Sequence, residues 1–219
     1  DRDVYFYDIT GGTCIWKLTL GPILCDVDCA YNWLTGGKDI LFSTYASVNG
    51  NVSYTPYFTC DSTSTVWLVS EVGVPQWRKD LGARFTGAHA RFVDIDRDGV
   101  DEILAYVHTQ IFPKGIEERG DVYVLDRQGK VEKHYPNTTS VESVCIVPNY
   151  QDGLNNVLLS LRNGSLVLLD RNLEEKKRVT LTNTTFSIPP AFFTNILRVL
   201  LRPGPGRGCW EHFYSRRFS

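Results

Sequence analysis

The chain has 219 residues, of which 42% are hydrophobic and 12% aromatic, enough for one domain or one repeat array with a substantial core. A net charge of −2 gives no general attraction to nucleic acid or anionic lipid, and no run of about 18 apolar residues is present to span a membrane. The sequence contains no Met and no signal peptide, as expected of a processed or truncated product.

Along the chain, four short runs share one pattern: residues 4–8, 66–69, 122–126 and 166–170. Each is rich in β-branched and aromatic residues, and each leads into a tight polar turn. The turns after the first three runs contain Gly (Gly12, Gly73, Gly129). The fourth, residues 171–174, offers Asn172 as the residue to take a positive φ. Trp16 and Trp77 follow the first two turns, placed to pack between neighbouring sheets.

A second hairpin follows each run, and its clearest copy is residues 91–106. The third unit, residues 146–159, keeps the frame: aligning Asp152-Gly153 on Asp98-Gly99 puts Asn156 on Glu102 and Val157 on Ile103. The first unit has Asp26 and Asp28 at two of the acidic positions, then an insertion, then residues 38–42. Spacing between units shortens along the chain, with the differences in loops. Period-two alternation excludes a helical array, and repeated four-stranded units of this size predict an all-β fold. The expected form is a β-propeller-like array of about four four-stranded antiparallel blades, an incomplete ring or a fragment of a longer propeller. It extends over residues 1–199, with an irregular basic tail at 200–219. A β-sandwich with coincidentally similar hairpins is the alternative.

One motif is chemically specific. Asp94, Asp96 and Asp98 alternate through a tight loop, Gly99 permits its reversal, and Glu102 closes it. A hard cation such as Ca²⁺ takes six to eight oxygens, and this spacing turns several carboxylates inward, with the Val100 carbonyl as a further ligand. An EF-hand would need Glu where Ala105 stands and helices where the flanks read as strands. Crowded carboxylates without a cation repel one another, so structural Ca²⁺ is expected, with Asp101 turned to solvent.

Six Cys are present without metal-ligand spacing, and the four His are scattered, which argues against a zinc cluster. Cys25, Cys29 and Cys60 are candidates for a disulfide whose pairing stays open. Sequons at Asn51, Asn137, Asn163 and Asn183 point to an exported glycoprotein, with glycan expected on at least Asn51 or Asn137. Asn163-Gly164 reads as a hairpin turn. No G-x-S-x-G elbow, phosphate loop or dinucleotide fingerprint is present.

The stretch 92–104, Phe-Val-Asp-Ile-Asp-Arg-Asp-Gly-Val-Asp-Glu-Ile-Leu, resembles the central motif of FG-GAP repeats, the blades of integrin-α-like propellers. The Asp8…Gly12…Trp16 pattern is similar to quinoprotein-type propeller repeats, in which Gly and Trp dock neighbouring blades. The resemblance covers about residues 1–199 and is sharpest in the second unit. It implies structural Ca²⁺ on Asp94, Asp96, Asp98, Val100 and Glu102, and a non-catalytic extracellular module for protein recognition or cell adhesion. Carbohydrate is a further partner class, and the ectodomain of a single-pass membrane protein a further setting. The alternative is a fragment of a propeller-scaffold enzyme, a quinoprotein-type dehydrogenase or a polysaccharide lyase, or else a carbohydrate-binding module.

Overall fold

Runs that alternate, or are apolar throughout, become strands wherever a polar turn bounds them. A computed structural model describes residues 2–53, 58–110, 117–149 and 153–181 and contains sixteen strands, with no helix among the described residues. They are β1 (Asp3–Tyr7), β2 (Cys14–Thr19), β3 (Ile23–Asn32), β4 (Gly37–Tyr45), β5 (Val52–Ser53), β6 (Thr59–Cys60), β7 (Thr65–Ser70) and β8 (Pro75–Asp80). The remainder are β9 (Thr86–Val93), β10 (Glu102–Thr109), β11 (Val122–Leu125), β12 (Val131–Tyr135), β13 (Val141–Pro148), β14 (Asn155–Leu161), β15 (Ser165–Leu169) and β16 (Glu175–Thr180).

All pairings are antiparallel, so the all-β expectation holds. Three four-stranded meanders are complete among the described residues: β3-β4-β7-β8, β9-β10-β11-β12 and β13-β14-β15-β16. The first two join into one eight-stranded sheet, but only through a single pair, Tyr45 with Gly87. β1-β2 and β5-β6 are separate two-stranded sheets.

The phase differs from the sequence repeat. Each meander combines the second hairpin of one sequence unit with the first hairpin of the next, as β3-β4 with β7-β8. Burial explains why. Residues 39–44 of β4 are all buried, so that strand needs hydrogen-bonded neighbours on both edges and packed side chains on both faces. β8 and β12 instead alternate, β16 is exposed along nearly its whole length, and the three carry Arg78, Lys79, Lys133, Lys176 and Lys177, as suits an outer edge.

Side-chain alternation then fills the space between sheets. Ile40, Phe42 and Trp67 face Leu18 and Leu20 of the β1-β2 side, whereas Leu41, Val66 and Leu68 face Ile103, Ala105 and Leu125 of the second meander. Leu104, Val122 and Val124 in turn meet Val157, Leu159 and Val167 of the third. The sheets are thus stacked face to face.

Trp16 and Trp77 lock these stacks at the rim. Trp16 Nε1 donates to the carbonyl of Glu71 at 3.0 Å, and its ring covers Gly73, where a Cβ would lie 2.5 Å from Cγ. Trp77 repeats the contact one sheet on: Nε1 donates to the Arg127 carbonyl at 2.8 Å over Gly129. Both glycines have positive φ, so the turn and the close approach require the same residue. The fourth turn corrects the expectation for Asn172. There the positive φ belongs to Leu173 (φ 61°), which is buried and fills its own space. No Trp stands on β12; instead Tyr135 Oη donates to Glu175 Oε2 at 2.8 Å, and Arg178 Nη2 donates to the Tyr135 oxygen.

The disulfide expectation does not hold. Cys14, Cys25, Cys29, Cys60 and Cys145 are free thiols; Cys209 lies outside the described residues. Cys25 and Cys29 sit four residues apart on β3, about 13 Å in extended chain, whereas a disulfide needs Cα atoms within roughly 4.4–6.8 Å. Cys60 belongs to β6, where its Sγ lies 2.9 Å from Ser62 Oγ. Burial pushes the Cys25 thiol up to about 11.

Candidate metal centre

The loop between β9 and β10 gathers acids because its own amides hold them. Gly99 N donates to Asp94 Oδ2 at 3.0 Å, Ile95 N to Glu102 Oε2 at 2.9 Å, and Asp98 N to Asp96 Oδ1 at 3.3 Å. Arg97 at the apex takes a positive φ of 61°, and its guanidinium donates to Asn155 Oδ1 at 3.0 Å. Asn155 Nδ2 returns a bond to the Asp94 carbonyl at 2.9 Å, tying the loop to the start of β14.

This folding brings together Asp94, Asp96 and Glu102, each with a carboxylate oxygen within 4.8 Å of the others. Asp94 Oδ1 is buried and has no hydrogen-bond partner. Glu102 is raised above its ordinary range, first by burial and then by the charges of Asp96 and Asp98. Asp98 is exposed and stands outside that trio: its Oδ1 accepts the Val100 amide at 2.7 Å and closes the turn. Val100 itself has an exposed side chain. The donor set is all hard oxygen, with a buried orphan lone pair, which fits Ca²⁺ or a similar cation and not a soft metal.

Asp101 corrects a further expectation. It is not simply solvated but pairs with Arg127, whose Nη2 lies 3.4 Å from Oδ2 and whose Nε donates to the Asp101 carbonyl at 3.0 Å. The same guanidinium stacks on Phe92 at 4.4 Å and reaches Asp39 Oδ2 at 3.2 Å. Asp39 is 2% exposed and also accepts from Asn32 Nδ2 at 2.8 Å and from Gln76 Nε2. Sequence reading passed over this Arg127–Asp39 pair. Its signal was present, since Asp39 precedes Ile40-Leu41 as Glu102 precedes Ile103-Leu104.

Asp26 and Asp28 also lie elsewhere than expected. They are inside β3, opposite Ser43 and Leu41, and not in a turn. Asp28 Oδ2 accepts the Phe92 amide at 2.9 Å, and Asp26 lies 3.7 Å from His89 Nδ1. The β3-β4 turn that corresponds to the acidic loop carries Trp33 and Leu34 instead, 79% and 90% exposed. Asp152 of the third unit is outside the described residues. The alignment of Val157 on Ile103 does hold, because Val157 pairs with Leu169 as Ile103 pairs with Leu125.

The sequons differ in access. Asn51 Nδ2 bonds to the buried Asp61 at 3.3 Å, and Asn137 Nδ2 bonds to the Thr139 carbonyl. Asn163 is exposed at the β14-β15 turn, and its bonded atom is Oδ1, which accepts from Ser165 N. Asn183 is outside the described residues.

No family model matches this chain. No curated protein matches it either. A solved structure described as a protein of unknown function from Bacteroides caccae is similar at 14% identity, with a TM-score of 0.45, and the match covers 84% of this chain. This chain spans 56% of that protein's length.

Proposed function

We propose that the protein is a calcium-stabilised β-propeller module of the FG-GAP kind, working outside the cell as a non-catalytic surface for a protein partner. The observation that carries this reading is the trio Asp94, Asp96 and Glu102, with Asp94 Oδ1 buried and unbonded. Supporting it, three four-stranded meanders follow one another with a recurrent Trp-on-Gly contact at the rim. The ion's protein ligands all come from one short loop, so its contribution is rigidity. Binding to the folded state alone adds RT ln(1 + [L]/Kd), about 2.7 kcal/mol at a hundredfold excess over Kd. Millimolar extracellular calcium fills even a weak site.

The recognition surface is assigned to the turn end of the sheets. There Trp33 and Leu34 protrude, and Tyr31 meets Trp33 edge to face at 4.8 Å. Large exposed apolar side chains gathered on one hairpin are a contact surface. The export reading rests on the sequons alone, now that the described cysteines are free thiols, and Asn163 is the best presented acceptor among the described residues. The test is thermal unfolding and binding of labelled protein to cell surfaces, each with calcium and with chelator, for the wild type and Asp96→Ala. Chelation and Asp96→Ala lower the melting temperature and the bound fraction together. Equal melting curves with and without calcium would overturn the reading.

A further inference from the structure

The turn that presents Trp33 and Leu34 is fastened by Asn32, and Asn32 leads back to the carboxylate loop. Asn32 Oδ1 accepts the amides of Leu34 at 3.0 Å and Thr35 at 3.4 Å, while the Asn32 carbonyl accepts Gly36 N at 2.9 Å. With Oδ1 committed to the turn, Nδ2 donates to Asp39 Oδ2 at 2.8 Å. A rotation of that side-chain amide would release both ends at once.

Asp39 Oδ2 has a second donor, Arg127 Nη1 at 3.2 Å, so its two lone pairs serve the turn and the guanidinium together. Arg127 is a fork between two acids. Nη1 reaches the buried Asp39, whereas Nη2 and Nε reach the carboxylate and the carbonyl of Asp101 at 3.4 and 3.0 Å. Asp101 lies between Val100 and Glu102, so the second prong ends on the carboxylate loop itself. From that loop to the Leu34 amide, each polar group meets the next within hydrogen-bonding distance.

We propose that this chain, Asp101–Arg127–Asp39–Asn32, couples the carboxylate loop to the Trp33–Leu34 turn, so that calcium in the loop orders the recognition hairpin. The proposal rests on the calcium reading above and adds regulation to it. The physical cause is competition for one guanidinium. Asp94, Asp96, Asp98, Asp101 and Glu102 all pull it toward the loop, and Asp39 pulls it the other way. A divalent cation among the loop acids cancels most of their pull and leaves the guanidinium to Asp39. Asp39 Oδ2 is then held in place, and with it Asn32 and the two turn amides. Linkage makes the effect reciprocal: a partner that orders the Trp33–Leu34 turn tightens calcium binding by the same factor.

The test is amide exchange with water, read by nuclear magnetic resonance on the whole protein with calcium alone as the probe. Calcium should slow exchange of the Leu34 and Thr35 amides at least threefold, with the half-saturation found by calorimetric titration. In Asn32→Ala, calcium should still bind and still slow the loop amides of Ile95 and Gly99, but Leu34 and Thr35 should no longer respond. Gln76→Ala removes a different donor to Asp39, one that lies off the path, and should keep the response. That control separates coupling through Asn32 from a general loosening around Asp39. Calcium heat with unchanged Leu34 and Thr35 exchange in the wild type would overturn the coupling and leave the calcium site standing, as would a response that survives Asn32→Ala. Absence of calcium heat would overturn the calcium reading itself, and the coupling with it.

Discussion

Asp39 and Glu102 occupy the same place in successive sheets and live by opposite electrostatics. Each is the acid before the Ile-Leu pair of an inner strand, Ile40 opposite Val69 and Ile103 opposite Leu125. Around Asp39 the protein supplies its own countercharge and donors, Arg127, Asn32 and Gln76, and the adjoining turn is free to carry apolar residues. Around Glu102 the neighbours are Asp94 and Asp96, the carboxyl is raised, and one lone pair of Asp94 goes unmet. One backbone position thus has two surroundings, an internal guanidinium at Asp39 and, at Glu102, a cluster of acids for which a cation is the proposed partner. Arg127 touches both by also holding Asp101.

The comparison breaks most severely at Arg127. Arg127→Ala strips the countercharge from a carboxylate that is 2% exposed and should cost about 3–5 kcal/mol in urea unfolding. Adding Asp39→Asn to that variant should recover much of the loss, because the buried charge is gone. Calcium comes next: chelation, or Asp96→Ala with calcium present, should cost about 2.7 kcal/mol at a hundredfold excess of ion over Kd, measured from the melting curves.

Acid acts on the strands that carry the loop. His108 on β10 is held down to about 4 by burial, then by the nearby charges of His89 and Arg162. His89 is also lowered, by burial first, although Asp26 opposes the shift. The unfolded chain binds protons at these imidazoles below about pH 6.5 while the folded chain does not, so stability falls as pH drops from 6.5 toward 4. Allowing for residual solvent contact, the loss is about 1–2 kcal/mol, and His108→Gln should flatten that part of the pH profile of unfolding free energy. The smallest effect sharpens the contrast by its sign. Glu102→Gln relieves a raised carboxyl and should raise the calcium-free unfolding free energy slightly, by less than about 1 kcal/mol, while lowering the calcium-bound one.

Much of this fold was readable from residue pattern. Hairpins announced themselves through alternation and turn residues, and Gly73 and Gly129 with Trp16 and Trp77 marked contacts between sheets. The partition into sheets was not readable, because periodicity identifies a hairpin without saying which neighbour its free edge will meet. The unbroken burial of residues 39–44 decides that only in three dimensions. Asp26 and Asp28 misled because two acids spaced like a loop motif also fit the half-buried face of a strand, where Asp28 meets the Phe92 amide and Asp26 lies near His89. Leu173 misled because Asn is the usual non-Gly residue with positive φ, and here a buried Leu gains more from packing than the strain costs. The acidic trio was legible from spacing, whereas the withdrawal of Asp98 into its own turn depends on one amide bond from Val100.

The most direct measurement is a calorimetric titration of calcium into the wild type, Asp94→Asn and Asp39→Asn. A single site per chain that is lost in Asp94→Asn and kept in Asp39→Asn is the expected result. Calcium heat that survives Asp94→Asn, or that disappears in Asp39→Asn while the protein stays folded, would contradict the division of labour between the two acids.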